Sequence, residues 1–128
     1  MPTSLKVIRR TDSPSIKASL FDNKIKVIQQ ERIYLLDPNQ IVYLMADGNY
    51  TKLFLDNGEC ILASKTLKIF IDQLGSQFFR CHRGYVINLN HLKVLDKKDG
   101  MTCGMVNGSH IPVSRSCQKE LMSILKEE

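Results

Sequence analysis

Turn chemistry punctuates this chain at short intervals from residue 37 to residue 108, and that spacing limits what can form between the turns. Asp37-Pro38-Asn39, Asp47-Gly48-Asn49, Asp56-Asn57-Gly58, Lys97-Lys98-Asp99-Gly100 and Asn107-Gly108 combine residues that bond their own backbone with residues that accept a bent one. Between them lie apolar-rich runs at 33–36, 41–45, 50–55, 59–63, 92–95, 101–106 and 110–113. Runs so short, rich in Ile, Val, Tyr, Phe and Thr, read as strands. The expected fold class is therefore mostly β: elongated, multi-stranded antiparallel β-sheets of about seven short strands, with one or two short helices.

The helices are expected where the period changes. Leu67, Phe70, Ile71 and Leu74 fall at i, i+3, i+4 and i+7, with Ser64 as N-cap and Gly75 as the stop, which predicts a helix of about ten residues with its stripe in the core. A second helix is expected from Ser114, with Cys117, Leu121, Ile124 and Leu125 on one face. Residues 1–28 differ from the rest. Lys6, Arg9, Arg10, Lys17, Lys24 and Lys26 outnumber Asp12 and Asp22, and Ser13-Pro14-Ser15 disfavours regular structure. We read 1–28 as a basic lead-in or linker, whose positions 25–28 could already start the fold, and 29–128 as the folded domain.

Composition sets the outer bounds. A chain of 128 residues with 43% apolar and 24% charged residues builds one globular core and is not bulk-disordered. A net charge of +5 favours anionic partners. Met1-Pro2-Thr3-Ser4 lacks the apolar core of a secretory signal, and no window is long enough to span a membrane. Cys60, Cys81, Cys103 and Cys117 match no disulfide scaffold or zinc spacing. The expectation is a cytoplasmic protein with reduced thiols and no membrane partner.

The densest chemistry lies in the run from Phe78 to Leu92. Phe78 and Phe79 lead into Arg80, His82 and Arg83, Gly84 allows a turn, and Tyr85-Val86-Ile87 resumes the apolar run. A cationic loop anchored on both sides suits phosphate and base-edge contact, although a solvated surface would look the same. Catalytic readings fare worse. His82, Asn88 and His91 suggest a His-Asn-His nuclease but lack a carboxylate pair for its metal, Asp96 and Asp99 lying in a turn. Cys81, His82, His91, Cys103, His110 and Cys117 lack paired zinc-ligand spacing, and no Ser or Cys sits in a nucleophile motif. No catalysis, metal, cofactor or small-molecule substrate is expected. A protein-interaction module using a sheet edge or the lead-in is the alternative.

Four motifs in order carry a family likeness: Ile41-Val42-Tyr43-Leu44-Met45-Ala46-Asp47-Gly48-Asn49-Tyr50, Ser64-Lys65-Thr66-Leu67, Phe79-Arg80-Cys81-His82-Arg83-Gly84-Tyr85-Val86-Ile87-Asn88 and Ile111-Pro112-Val113-Ser114-Arg115. Over about residues 29–125 the chain resembles the LytTR family of bacterial DNA-binding domains. The resemblance implies a transcription regulator that reads double-stranded DNA with three loops, which enter two successive major grooves and cross the minor groove between them. By motif, the contacts fall at Asn49, Arg83 and Arg115, with His82, Lys65 and Tyr50 beside them. Arg83 and Arg115 offer forks to guanine or phosphate, and Asn49 fits an adenine edge or serves its own turn. Lys65 is expected to meet a phosphate with the helix-end amides behind it. Tyr50 and Tyr85 also read as core edge, and Asn88 and Asn90 as residues that satisfy backbone groups. Tandem half-sites about one helical turn apart, a homodimer on DNA and some DNA bending follow from the same mode. The residues ahead of the module are too few for a receiver fold, which leaves a stand-alone regulator or the output domain of a two-component response regulator equally open.

Overall fold

The computed structural model describes residues 23–126, so Lys6, Arg9, Arg10 and Lys17 of the basic lead-in lie outside the described residues. Ten strands and two α-helices follow in order: β1 (Ile25–Gln29), β2 (Arg32–Leu36), β3 (Ile41–Asp47), β4 (Tyr50–Leu55), β5 (Cys60–Ala63), α1 (Leu67–Ile71), β6 (Phe78–His82), β7 (Tyr85–Asn88), β8 (Leu92–Asp96), β9 (Thr102–Met105), β10 (His110–Pro112) and α2 (Arg115–Leu125). Single 3-10 turns at Pro38–Gln40 and Leu89–His91 lead into β3 and β8. The count exceeds the expected seven because 78–88 divides into β6 and β7, and because β1 takes up chain ahead of position 29.

The centre is a five-stranded antiparallel sheet in the order β5-β4-β3-β7-β6. β3 and β7 lie inside it and are covered on both faces, which is why Ile41-Val42-Tyr43-Leu44 and Val86-Ile87 are apolar at consecutive positions. One face packs Ile41, Leu44, Leu53, Leu55 and Val86 against Ile25, Val27 and Leu36 of the β1–β2 hairpin and Leu67 and Phe70 of α1. The other packs Val42, Tyr43, Phe79, Cys81 and Ile87 against Met105 and Ile111 of a three-stranded sheet ordered β10-β9-β8, and against Leu121 of α2. A register shift between Ile41 and Tyr43 lets neighbours Val42 and Tyr43 enter the same core.

Both helices differ from expectation at their ends. Thr66, not Ser64, precedes α1, which has five residues instead of about ten. Two bonds hold the link extended: Ser64 N–H donates to the Ile28 carbonyl at 3.3 Å, and Thr51 Oγ1 donates to the Lys65 carbonyl at 2.7 Å. Leu74 still reaches the core, from the turn beyond α1. α2 does start after Ser114, but its core contacts end at Met122, and Ile124 and Leu125 are 36% and 38% exposed. No helix among the described residues is long and apolar enough to cross a membrane.

Candidate nucleic-acid interface

The first expected contact sits on the tightest turn of the central sheet. Asp47 and Tyr50 are the last pair of the β3–β4 ladder, so Gly48 and Asn49 form a two-residue loop. Gly48 has φ +61° at the first central position, a conformation that favours glycine and marks a type II′ hairpin. The loop thrusts Asn49 outward, exposed, with Tyr50 beside it. Tyr50 is 49% exposed, so it lies in the outward group and not at the core edge. Lys52 stands 3.8 Å from the Asp47 carboxylate and offsets the one acid next to this loop.

The second expected contact sits on the β6–β7 turn. His82 pairs with Tyr85, and Arg83 and Gly84 span the gap. Gly84 is not in the left-handed region, and a Cβ there would meet only His82 Nδ1, at 3.6 Å, so the turn does not require glycine. Side chains set its shape instead. Gly84 N–H donates to His82 Nδ1 at 3.0 Å, and the Arg80 guanidinium donates to the Arg83 carbonyl at 2.6 Å. With Nδ1 engaged as an acceptor, the neutral His82 ring carries its proton on Nε2. Tyr85 packs edge-on to that ring at 5.5 Å. Arg83 is exposed and His82 half-buried.

Hydrogen bonds bring the three expected contact segments together. Ala46 N–H donates to the Gly84 carbonyl at 2.8 Å, which ties the Arg83 turn to the end of β3 next to the Asn49 turn. Ser114 N–H donates to the Cys81 carbonyl at 2.9 Å, and the Cys117 thiol to the Arg80 carbonyl at 3.4 Å. These seat the start of α2 on β6, with Arg115 exposed at the first helical position. Arg80, His82, Arg83, Ser114, Ser116 and Cys117 line an open groove of about 510 Å³. Lys65, half-buried, reaches the same end because the Thr51–Ala63 pair and the Thr51 hydroxyl hold its segment beside the start of β4. A five-residue α1 adds little helix-end field behind Lys65, contrary to the expectation from sequence. Among the described residues, neither Arg83 nor Arg115 forms a salt bridge.

The structure thus groups Asn49, Tyr50, Lys65, His82, Arg83 and Arg115 at one end of the central sheet, together with Arg80, which the sequence places in the cationic loop without assigning it a contact, and Ser116, which the sequence does not single out. Arg80 and Ser116 belong to the groove. The signal for Arg80 was present: Phe79 and Cys81 are buried, so strand alternation puts Arg80 and His82 together on the opposite face.

The residues of the rival readings are occupied elsewhere. Asn88 is fully buried and bonded, and His91 Nε2 lies 2.6 Å from the Asn39 carbonyl. Among the described residues, no group of three or more His, Cys, Asp or Glu side chains is placed to hold a metal. All four cysteines are free thiols. Contact with Cys103, and then burial, hold the Cys81 thiol far above its ordinary pKa, so it stays protonated in the core.

Known proteins share this chain's sequence pattern and fold. A family model for the LytTr DNA-binding domain covers residues 31–126. The sensory transduction protein LytT of Oceanobacillus iheyensis is 30% identical over 109 residues, which span 81% of this chain and 44% of that one. The transcriptional regulatory protein YpdB of Escherichia coli is 25% identical over 116 residues, 88% of this chain and 47% of its own. The heme-containing CO-sensing transcriptional regulator RcoM 1 of Paraburkholderia xenovorans is 29% identical over 107 residues, 80% and 39%. The chain therefore spans less than half the length of these relatives. Among solved structures, a LytTr DNA-binding domain from Bacillus cereus superposes with a TM-score of 0.70 at 23% identity, covering 81% of this chain and 97% of that one, and so shares the fold.

Proposed function

The chain belongs to the LytTR DNA-binding domain family, and on that premise we propose that it reads duplex DNA sequence-specifically as the DNA-binding part of a bacterial transcription regulator. One observation carries the reading: the Asn49, Arg83 and Arg115 segments are bonded into a single end of the central sheet. Arg83 and Arg115 present planar donor forks suited to guanine O6 and N7, and Asn49 presents an amide suited to adenine, each contact discriminating by about 1–3 kcal/mol. Lys65 and His82 meet phosphates, and Tyr50 packs against the sugar-phosphate backbone beside Asn49. The regulatory role draws on the relatives named as transcriptional regulators. It is a binding role with no catalytic step, exercised in the cytoplasm, where DNA lies.

One domain of this size covers a short site, so two copies occupy tandem half-sites about one helical turn apart, dimerising on DNA. Selection of bound duplexes from a random pool tests the reading. Enrichment of a repeated motif with that spacing supports it. Failure of any duplex to rise above the starting pool would remove it and bring the protein-interaction alternative forward.

A further inference from the structure

Arg80 touches two of the three contact segments at once. Its Nη2 donates to the Arg83 carbonyl at 2.6 Å, while its own carbonyl accepts the Cys117 thiol at 3.4 Å from the first turn of α2. Its Nε is sealed from solvent with no hydrogen-bond partner among the described residues. A free surface arginine would turn outward and hydrate that group, so this one is held inward by its short, charge-assisted bond across the turn. The turn has two central residues, and the one peptide between them is gripped by two side chains of β6: Arg80 takes its carbonyl, that of Arg83, and His82 takes its N–H, that of Gly84. With Ala46 bonded to the Gly84 carbonyl, the Arg83–Gly84 peptide is held at its carbonyl by Arg80 and at its N–H by His82.

We propose that Arg80 is a positioning residue for DNA reading, acting through Arg83: it locks the peptide that carries Arg83 so that this guanidinium meets the DNA in one orientation. The inference rests on the DNA-reading role proposed above and adds to it a residue that reads nothing itself. Without Arg80 the Arg83–Gly84 peptide keeps only its bond to His82 and regains part of the freedom of one backbone residue, and discrimination falls by up to about tenfold. Arg80 supplies no phosphate contact, so the salt dependence of binding is unchanged by its loss.

Fluorescence anisotropy across a potassium chloride series tests this with the full chain. The probes are the selected duplex, the same duplex altered at the base pair to which Arg83→Ala becomes indifferent, and a random-sequence duplex. The proteins are wild type, Arg80→Gln, Arg80→Lys, Arg83→Ala and the Arg80→Gln/Arg83→Ala pair. Arg80→Gln is expected to lose up to about tenfold in discrimination at that base pair, keep the wild-type salt slope, and add nothing in the Arg83→Ala background. Arg80→Lys keeps a charged donor without the planar fork and recovers only part of the discrimination; it carries the test alone if Arg80→Gln does not fold. A salt slope reduced by about 0.9, with equal weakening on all three duplexes, would overturn the proposal, because that is the mark of a phosphate contact. Additive losses in the double variant would overturn it as well. If wild type fails to discriminate, DNA reading itself is wrong and the positioning role falls with it, an outcome visible before any variant is compared.

Discussion

Asn88 is expected to hold more of the fold together than any other polar side chain described, and its replacement should be costly in a defined way. It is fully buried in β7. Its Nδ2 donates to the carbonyls of Ile41 at 2.9 Å and Pro38 at 3.2 Å, while Oδ1 accepts from Asn90 N–H at 3.0 Å and from Gln77 Nε2 at 3.3 Å. One side chain therefore ties the entry of β3, the approach to β6 and the exit of β7. Asn88→Ala deletes these bonds, and buried groups left without partners cost about 1–3 kcal/mol each. Since some of them recover water or another partner, a net loss of about 3 kcal/mol is expected. With a urea slope of roughly 1–3 kcal/mol/M, the unfolding midpoint followed by circular dichroism should fall by about 1–3 M. Asn88→Asp keeps the shape but aims a carboxyl oxygen at two carbonyls. Burial raises that carboxyl's folded pKa above its unfolded value of about 3.9, so the ionisation penalty is absent below that pH and grows as pH rises through the folded pKa. The Asp variant should therefore fall further behind wild type between pH 3.5 and 7. Because Asn88 lies at the far end of β7 from the Arg83 turn, either variant should keep its DNA preference wherever it remains folded. An alanine midpoint within about 0.3 M of wild type would refute the reasoning.

Other expectations follow from the interface and the thiols. Lys65→Ala should weaken binding equally on all duplexes and lower the salt slope by about 0.9, read by anisotropy. Gly84→Ala should fold and bind like wild type, with stability shifted by less than about 1 kcal/mol in thermal melts, because the added Cβ meets only His82 Nδ1 at 3.6 Å. Brief alkylation of the native protein, mapped by mass spectrometry, should label exposed Cys60 ahead of buried Cys81 and Cys103. Burial raises the Cys60 thiol pKa, so its labelling should accelerate over a more alkaline range than that of a free thiol.

Much of this architecture was legible because turn chemistry and strand period agree. Asp56-Asn57-Gly58 and Asn107-Gly108 close hairpins as their residue types require, with Asn57 and Asn107 each accepting a backbone N–H two residues on. What the sequence hid are matters of tertiary competition. Ser64 has the side chain of a helix cap, but its N–H is taken by β1 and its neighbour's carbonyl by Thr51, so α1 starts late. Ile124 and Leu125 continue the helical period but pass the end of the core that α2 covers. At the interface, the motif pointed to the exposed side chains Asn49, Arg83 and Arg115. The support beneath them was invisible, since nothing in residue order shows that Arg80 bends to the Arg83 carbonyl or that Ala46 bonds to Gly84.

The most direct test of the central claim is guanine-N7 methylation interference on the selected duplex, comparing wild type with Arg83→Ala and Arg115→Ala. Three loops at one end of a sheet, reading two major grooves, predict interfering guanines in two clusters per domain on one face of the helix. Each arginine variant should lose its own cluster and keep the other. Interference that is absent, or that survives unchanged in both variants, would contradict the account, because neither arginine would then be reading a base.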